Sequence, residues 1–110
     1  MAVRGGRVRK AEQAKLDIVD LAFFLVLESG QDELGVRFLD AAESAFESLA
    51  RMPEMGVRRL YLSSTLTDLR IWRVPGFPNH LVFYRAHDAG VEIIRVIHAK
   101  RDIEVLLGDE

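Results

Sequence analysis

The sequence predicts an α+β domain in which a helical hairpin packs on one face of a small, mainly antiparallel sheet. Three observations carry this expectation. Residues 11–29 and 32–52 repeat their apolar side chains at helical spacing. Residues 69–75, 80–87 and 91–98 are short apolar runs that alternate like strands. The joints are brief and rich in turn formers: Gly30-Gln31, Pro75-Gly76-Phe77-Pro78-Asn79 and His87-Asp88-Ala89-Gly90. Short joints force antiparallel neighbours, both for helices and for strands.

The first element is a weak strand around Arg7 to Lys10, with Val8 as its only apolar residue. In the first helix, Ala14, Ile18, Leu21, Ala22 and Leu25 form one core stripe, and Ser29-Gly30 stops it. Leu16, Val19, Phe23, Val26 and Leu27 fall mostly outside that stripe. A helix this apolar around its circumference must be covered on more than one side. The sheet covers one side, and a protein partner or second subunit is expected on the other.

The second helix opens with Asp32 and Glu33 at the positive end of its dipole. Its stripe is Leu34, Phe38, Ala41 or Ala42, Ala45, Leu49 and Met52, with Phe46 beside it, and Pro53 ends it. Residues 57–62 read as a short extended Arg-rich segment, and Ser63-Ser64-Thr65 as a loop. After the three strands, Asp102 is placed to cap a short helix running to Leu107. The predicted order is therefore β-α-α-β-β-β-α, with residues 1–110 as one domain.

Composition removes several classes of function. There is no cysteine, which excludes disulfides, thiolate zinc sites and cysteine nucleophiles and fits a reducing cytoplasm. The longest apolar run, 21–27, is far short of the roughly 20 residues that cross a bilayer. No signal peptide is read at the basic N-terminus. Glycine-rich phosphate loops, HExxH, DxDxDG and nucleophile-elbow motifs are missing, so neither metal nor cofactor is expected.

The net charge of −2 conceals an uneven distribution. Residues 11–56 carry three basic and ten acidic groups, whereas residues 57–101 carry eight basic and three acidic. The basic half either meets an anionic partner or is neutralised by the acidic half.

Strand alternation places the candidate side chains. Arg73 shares a face with Leu69 and Ile71, and Arg85 with Leu81 and Phe83. Regular alternation in the last strand puts Glu92, Ile94, Val96 and His98 on one side, and Val91, Ile93, Arg95 and Ile97 on the other. An arginine within an apolar face must reach the sheet edge or find an anion. Glu92, Asp102 and the helix carboxylates are the internal candidates. His98 lies beside Lys100 and Arg101 and is read either as a general acid–base or as a packing or capping residue at a strand end. Trp72 and Tyr84 are core residues by default, with base stacking as the other reading. His80 and His87 fall at turns and are expected on the surface.

Three strand motifs, Leu69-Arg70-Ile71-Trp72-Arg73-Val74, Val82-Phe83-Tyr84-Arg85 and Ile94-Arg95-Val96-Ile97-His98-Ala99-Lys100-Arg101-Asp102-Ile103, follow the helical hairpin and Pro53-Glu54-Met55-Gly56-Val57-Arg58. In this order and spacing they resemble the RelE/ParE toxins of bacterial type II toxin–antitoxin systems over residues 11–107. The ending with Arg95, His98, Arg101 and Asp102, without a terminal aromatic residue, is similar to the ParE branch.

The resemblance implies a toxin that inhibits growth by binding DNA gyrase, with Arg73, Arg95, His98, Lys100 and Arg101 as target-binding residues and no catalytic ones. It also implies a cognate ParD-like or related antitoxin, for which Leu16, Val19, Phe23, Val26 and Leu27 form the expected binding surface. Two alternatives stay open. One is a RelE-type, ribosome-dependent mRNA endoribonuclease using Arg73, Arg85 and His98. The other is a degenerate toxin that only binds its antitoxin.

Overall fold

The first strand is no loose tail. In the computed structural model, which describes residues 6–58, 69–87 and 89–102, β1 (Arg7–Lys10) pairs in parallel with the last strand. Helices α1 (Glu12–Ser29) and α2 (Asp32–Arg51) follow, and then β2 (Val57–Arg58), β3 (Arg70–Val74), β4 (Phe77–His87) and β5 (Gly90–His98). The sheet order is β1-β5-β4-β3-β2, antiparallel except for the β1–β5 pair. Both helices lie on one face, as the two-layer α+β expectation required. The loop expected at 63–65, the rest of the extended segment beyond Arg58 and the helix expected beyond Asp102 lie outside the described residues.

β1 holds its place through main-chain bonds rather than apolar content. Arg7 pairs with Gly90 and Lys10 with Ile93. A β-carbon on Gly90, whose φ is 149°, would fall on the Arg7 carbonyl oxygen, so only glycine lets the two backbones approach this closely. Lys10 then ties the strand to α2 by a 2.9 Å ion pair with Glu43, its ammonium over the Phe46 ring.

The core between helices and sheet gathers Ala14, Ile18, Leu21 and Ala22 from α1, Phe38, Ala42, Phe46 and Leu49 from α2, and Val74, Val82, Tyr84, Val91, Ile93 and Val96 from the sheet. Gly30 ends α1 in the left-handed region at φ 72°, its N–H donating to the Val26 carbonyl. Small residues bring the helices together: a β-carbon on Gly35 of α2 would stand 2.7 Å from Val26 Cγ2. Val26 is accordingly half-buried at this crossing.

Tyr84 fastens the segment after α2 to the sheet. Fully buried, it donates from its hydroxyl to the Pro53 carbonyl at 2.7 Å and accepts the Gly56 N–H at 2.8 Å. Burial raises its pKa, against the Gly56 bond and the nearby Arg70. A Tyr84→Phe change leaves a buried donor and acceptor without partners. It is expected to cost about 2 kcal/mol, measured as a lower urea midpoint at unchanged slope.

The regular alternation expected for β5 breaks at one residue. Phe83 pairs with Arg95 and Tyr84 with Ile93, so Ile94 is an extra residue, a β-bulge. The bulge reverses the phase: Val91, Ile93 and Val96 face the helices, whereas Ile94 and Ile97 join Leu69, Phe83, Ile71 and Leu81 on the opposite face. Val96 is thereby separated from Ile94, with which uninterrupted alternation grouped it. Among the described residues no helix is long and apolar enough to cross a membrane.

Candidate functional site

The chemistry-bearing residues gather where β5 leaves the sheet. β1 stops opposite Ile93, so among the described residues the rest of this side of β5 has no strand beside it. Asp17 of α1 takes that place. Its Oδ2 accepts the Val96 N–H at 3.0 Å and Arg95 Nε at 2.8 Å, while Oδ1 accepts an Arg95 terminal nitrogen at 3.1 Å and Gln13 Nε2 at 3.0 Å. A carboxylate that is 7% exposed is thus satisfied by four donors. The pairing raises the Arg95 pKa, chiefly through the Asp17 hydrogen bond and against the effect of burial. Arg95, expected as a target contact, spends its guanidinium on this fork and anchors the strand end.

The next turn is organised by His98. Its Nδ1 accepts the N–H groups of Lys100 at 3.2 Å and Arg101 at 3.0 Å, which requires Nε2 to carry the proton of the neutral ring. Its own N–H donates to Asp102 Oδ2 at 2.9 Å, and Asp102 N–H returns a 2.8 Å bond to the His98 carbonyl. Arg101 lays its guanidinium over the Phe24 ring of α1 at 3.9 Å, with a looser 3.8 Å contact to Asp102. Lys100 and Arg101 are exposed. One small turn therefore presents two adjacent cations on a framework fixed to α1.

His80 corrects the surface placement expected for it. It is 5% exposed, opposite His98 in the β4–β5 ladder, with ring centroids 5.0 Å apart, and packs on Phe38 at 4.9 Å and Phe77 at 5.9 Å. Its pKa is lowered to about 4 by burial first, then by His98 and Arg101, with Asp102 opposing. Its Nδ1 has no hydrogen-bond partner among the described residues. β4 begins at Phe77, so His80 is already a strand residue in phase with Val82 and Tyr84 of the core.

Arg73 and Arg85 stand elsewhere. Trp72 and Val74 pack against the helices, so Arg73 projects from the opposite face. It is exposed, with no ion pair among the described residues. Arg85 shares that face and binds Glu92 at 3.3 Å. Arg73 pairs with Leu81, four residues before Arg85 on β4, so the two lie about 13 Å apart along the strand. His98 faces the helix side. The three residues of the nuclease alternative are therefore not brought together. No group of three or more His, Cys, Asp or Glu among the described residues is arranged to hold a metal.

The second surface is the outer side of α1. Leu16, Val19, Phe23 and Leu27 are 58%, 62%, 63% and 64% exposed. Their spacing puts them in one stripe opposite the core. Val26 stands apart from them in the helix crossing. The residues that sequence reading passed over here are Asp17 and Phe24. Asp17 carried a legible sign, since it falls three residues from Ala14 and four from Leu21, within the core stripe.

The comparisons with known proteins agree with this fold. A search of curated proteins gives no match. A solved structure described as the chromosomal ParDE TA system from P. aeruginosa superposes with a TM-score of 0.67 at 14% identity, over 84% of this chain and 95% of that one. The E. coli DinJ-YafQ toxin-antitoxin complex contains a chain that superposes with a TM-score of 0.51 at 13% identity, over 87% of this chain and 94% of that one. At these identities the likeness is one of fold. The profile of the family described as "ParE toxin of type II toxin-antitoxin system, parDE" matches residues 8–103, nearly the whole chain, and the chain belongs to this toxin family.

Proposed function

We propose that this toxin arrests growth by binding DNA gyrase in the cytoplasm, and that a cognate antitoxin neutralises it by covering the apolar stripe of α1. The observation that carries the reading is the state of His98. Its Nδ1 is occupied by two backbone N–H groups and it stands on the other side of the sheet from Arg73 and Arg85. A general acid–base needs a free nitrogen and a phosphate-holding neighbour at hydrogen-bond range. His98 instead shapes the turn that displays Lys100 and Arg101, a charged surface suited to binding. Asp17, Arg95 and Phe24 hold that turn.

The test is a pair of reactions with purified toxin: gyrase supercoiling and ribosome-programmed mRNA cleavage. Loss of supercoiling, with mRNA intact, is the expected result. Lys100→Glu with Arg101→Glu should weaken inhibition by about tenfold or more. Supercoiling untouched at excess toxin would overturn the gyrase reading, and cut mRNA would replace it with nuclease action.

A further inference from the structure

Phe24 is an aromatic ring set apart from the apolar core. It is half-buried on α1, yet it belongs to neither of the two apolar clusters of the described residues. What covers it is a charge, the Arg101 guanidinium 3.9 Å from its ring centroid. Asp17 and Phe24 stand seven residues apart, about two helical turns, and so on one line of α1. Asp17 takes the strand end at Arg95 and Val96, and Phe24 takes the turn that follows.

The two contacts use a guanidinium in opposite ways. Asp17 binds the N–H edge of Arg95. Phe24 supports the flat face of Arg101 and leaves its edge open. Among the described residues the Arg101 side chain donates no hydrogen bond, and its ion contact with Asp102 is a long 3.8 Å. Competing acceptors stand close by. Asp20 and Glu28 are exposed, one turn before and one turn after Phe24, and neither makes an ion pair among the described residues. The ring thus separates two fates for Arg101. Its edge is either spent on the toxin's own carboxylates or kept for charge-assisted bonds to another molecule.

We infer that Phe24 is a positioning residue for target binding: it holds Arg101 by its face and keeps its N–H edge available to an anionic group of the target. This rests on the reading of Arg101 as a target contact and adds the residue that keeps this contact available.

A mutant cycle in the full-length toxin tests it. Phe24→Leu keeps an apolar, helix-favouring side chain and removes the ring, whereas Phe24→Tyr keeps the ring. Each is made with Arg101 present and with Arg101→Ala. The readout is the toxin concentration that half-inhibits gyrase supercoiling. Phe24→Leu should raise it about threefold or more, and Phe24→Tyr should leave it near the wild-type value. In Arg101→Ala toxin, Phe24→Leu should change nothing further. Proton NMR reads the positioning itself. The Arg101 δ protons should lie upfield, over the ring, in wild-type and Phe24→Tyr toxin, and return toward their open-chain position in Phe24→Leu.

Phe24→Leu toxin as potent as the wild type overturns the inference. So does a loss of equal size with and without Arg101, which would show that the ring only supports the fold. Full inhibition by Arg101→Ala toxin removes the contact and the inference with it. The gyrase reading fails separately, if wild-type toxin leaves supercoiling untouched. Growth arrest on induction then carries the same cycle without naming the target, and the same outcomes decide.

Discussion

Asp17→Ala should lower folding stability by about 3 kcal/mol, the largest loss expected for a single residue outside the apolar core. The carboxylate closes the part of the β5 edge that β1 leaves open, and its loss removes the acceptor of four donors, the exposed Gln13 amide being the one that water replaces most readily. The Val96 N–H is buried and has no other acceptor among the described residues. Such a donor costs about 1–3 kcal/mol. Arg95 loses both bonds of its fork. Its side chain is 33% exposed, against 8% for Asp17, so the freed guanidinium can turn to water. That escape keeps the loss at the lower end of the roughly 3–5 kcal/mol measured when buried pairs are broken.

Urea unfolding of Asp17→Ala, Arg95→Met and the double variant measures both the loss and the coupling. Once Asp17 is absent, Arg95→Met should cost little, giving a coupling above about 1 kcal/mol. Simple additivity, or an Asp17→Ala loss below about 1 kcal/mol, would show that the fork does not secure the strand end.

Asp17 also shows where sequence reading reaches its limit. Both helices were legible because apolar periodicity and Gly30 and Pro53 mark their course and ends: 11–29 and 32–52 were expected, Glu12–Ser29 and Asp32–Arg51 found. The three antiparallel strands were legible from their turns. The β5 bulge was not, because Ile94 is apolar like its neighbours and either face can accept it. β1 looked weak because three of its four residues are basic, yet parallel pairing depends on main-chain bonds and on the space left by Gly90. At the site, the exposed stripe could be read for Leu16, Val19, Phe23 and Leu27. Val26 could not be separated from them, since its burial depends on Gly35, a long-range contact. The basic cluster was visible. Which of its members are free cations depends on Asp17, Phe24 and Glu92, partners that spacing within one strand does not reveal.

His80 supplies the second large effect, which is one of pH. Its ring is neutral in the fold, with a pKa lowered from 6.5 to about 4 by burial first and then by His98 and Arg101. Above pH 6.5 the ring is neutral in folded and unfolded chains, and stability is unaffected. As pH falls below 6.5 the unfolded chain takes up a proton that the folded chain refuses, so stability is lost. The loss grows until the folded ring is protonated near pH 4, and then levels off. Each pKa unit corresponds to about 1.4 kcal/mol, so His80 alone should remove up to about 3 kcal/mol across this window.

His80→Phe should erase this component. A phenyl ring keeps the contacts with Phe38 and Phe77 and removes the buried Nδ1, which has no hydrogen-bond partner among the described residues. Carboxylates that lose stabilising bonds in acid, Asp17 among them, still act in the variant. The informative quantity is therefore the difference between the two stability–pH curves from chemical denaturation. That difference should open below pH 6.5 and flatten near pH 4. Parallel curves would mean that the folded protein protonates His80 as readily as the unfolded chain does, by opening the β4–β5 end near His98. In that case acid would loosen the strand end that displays Lys100 and Arg101 before the fold as a whole gives way.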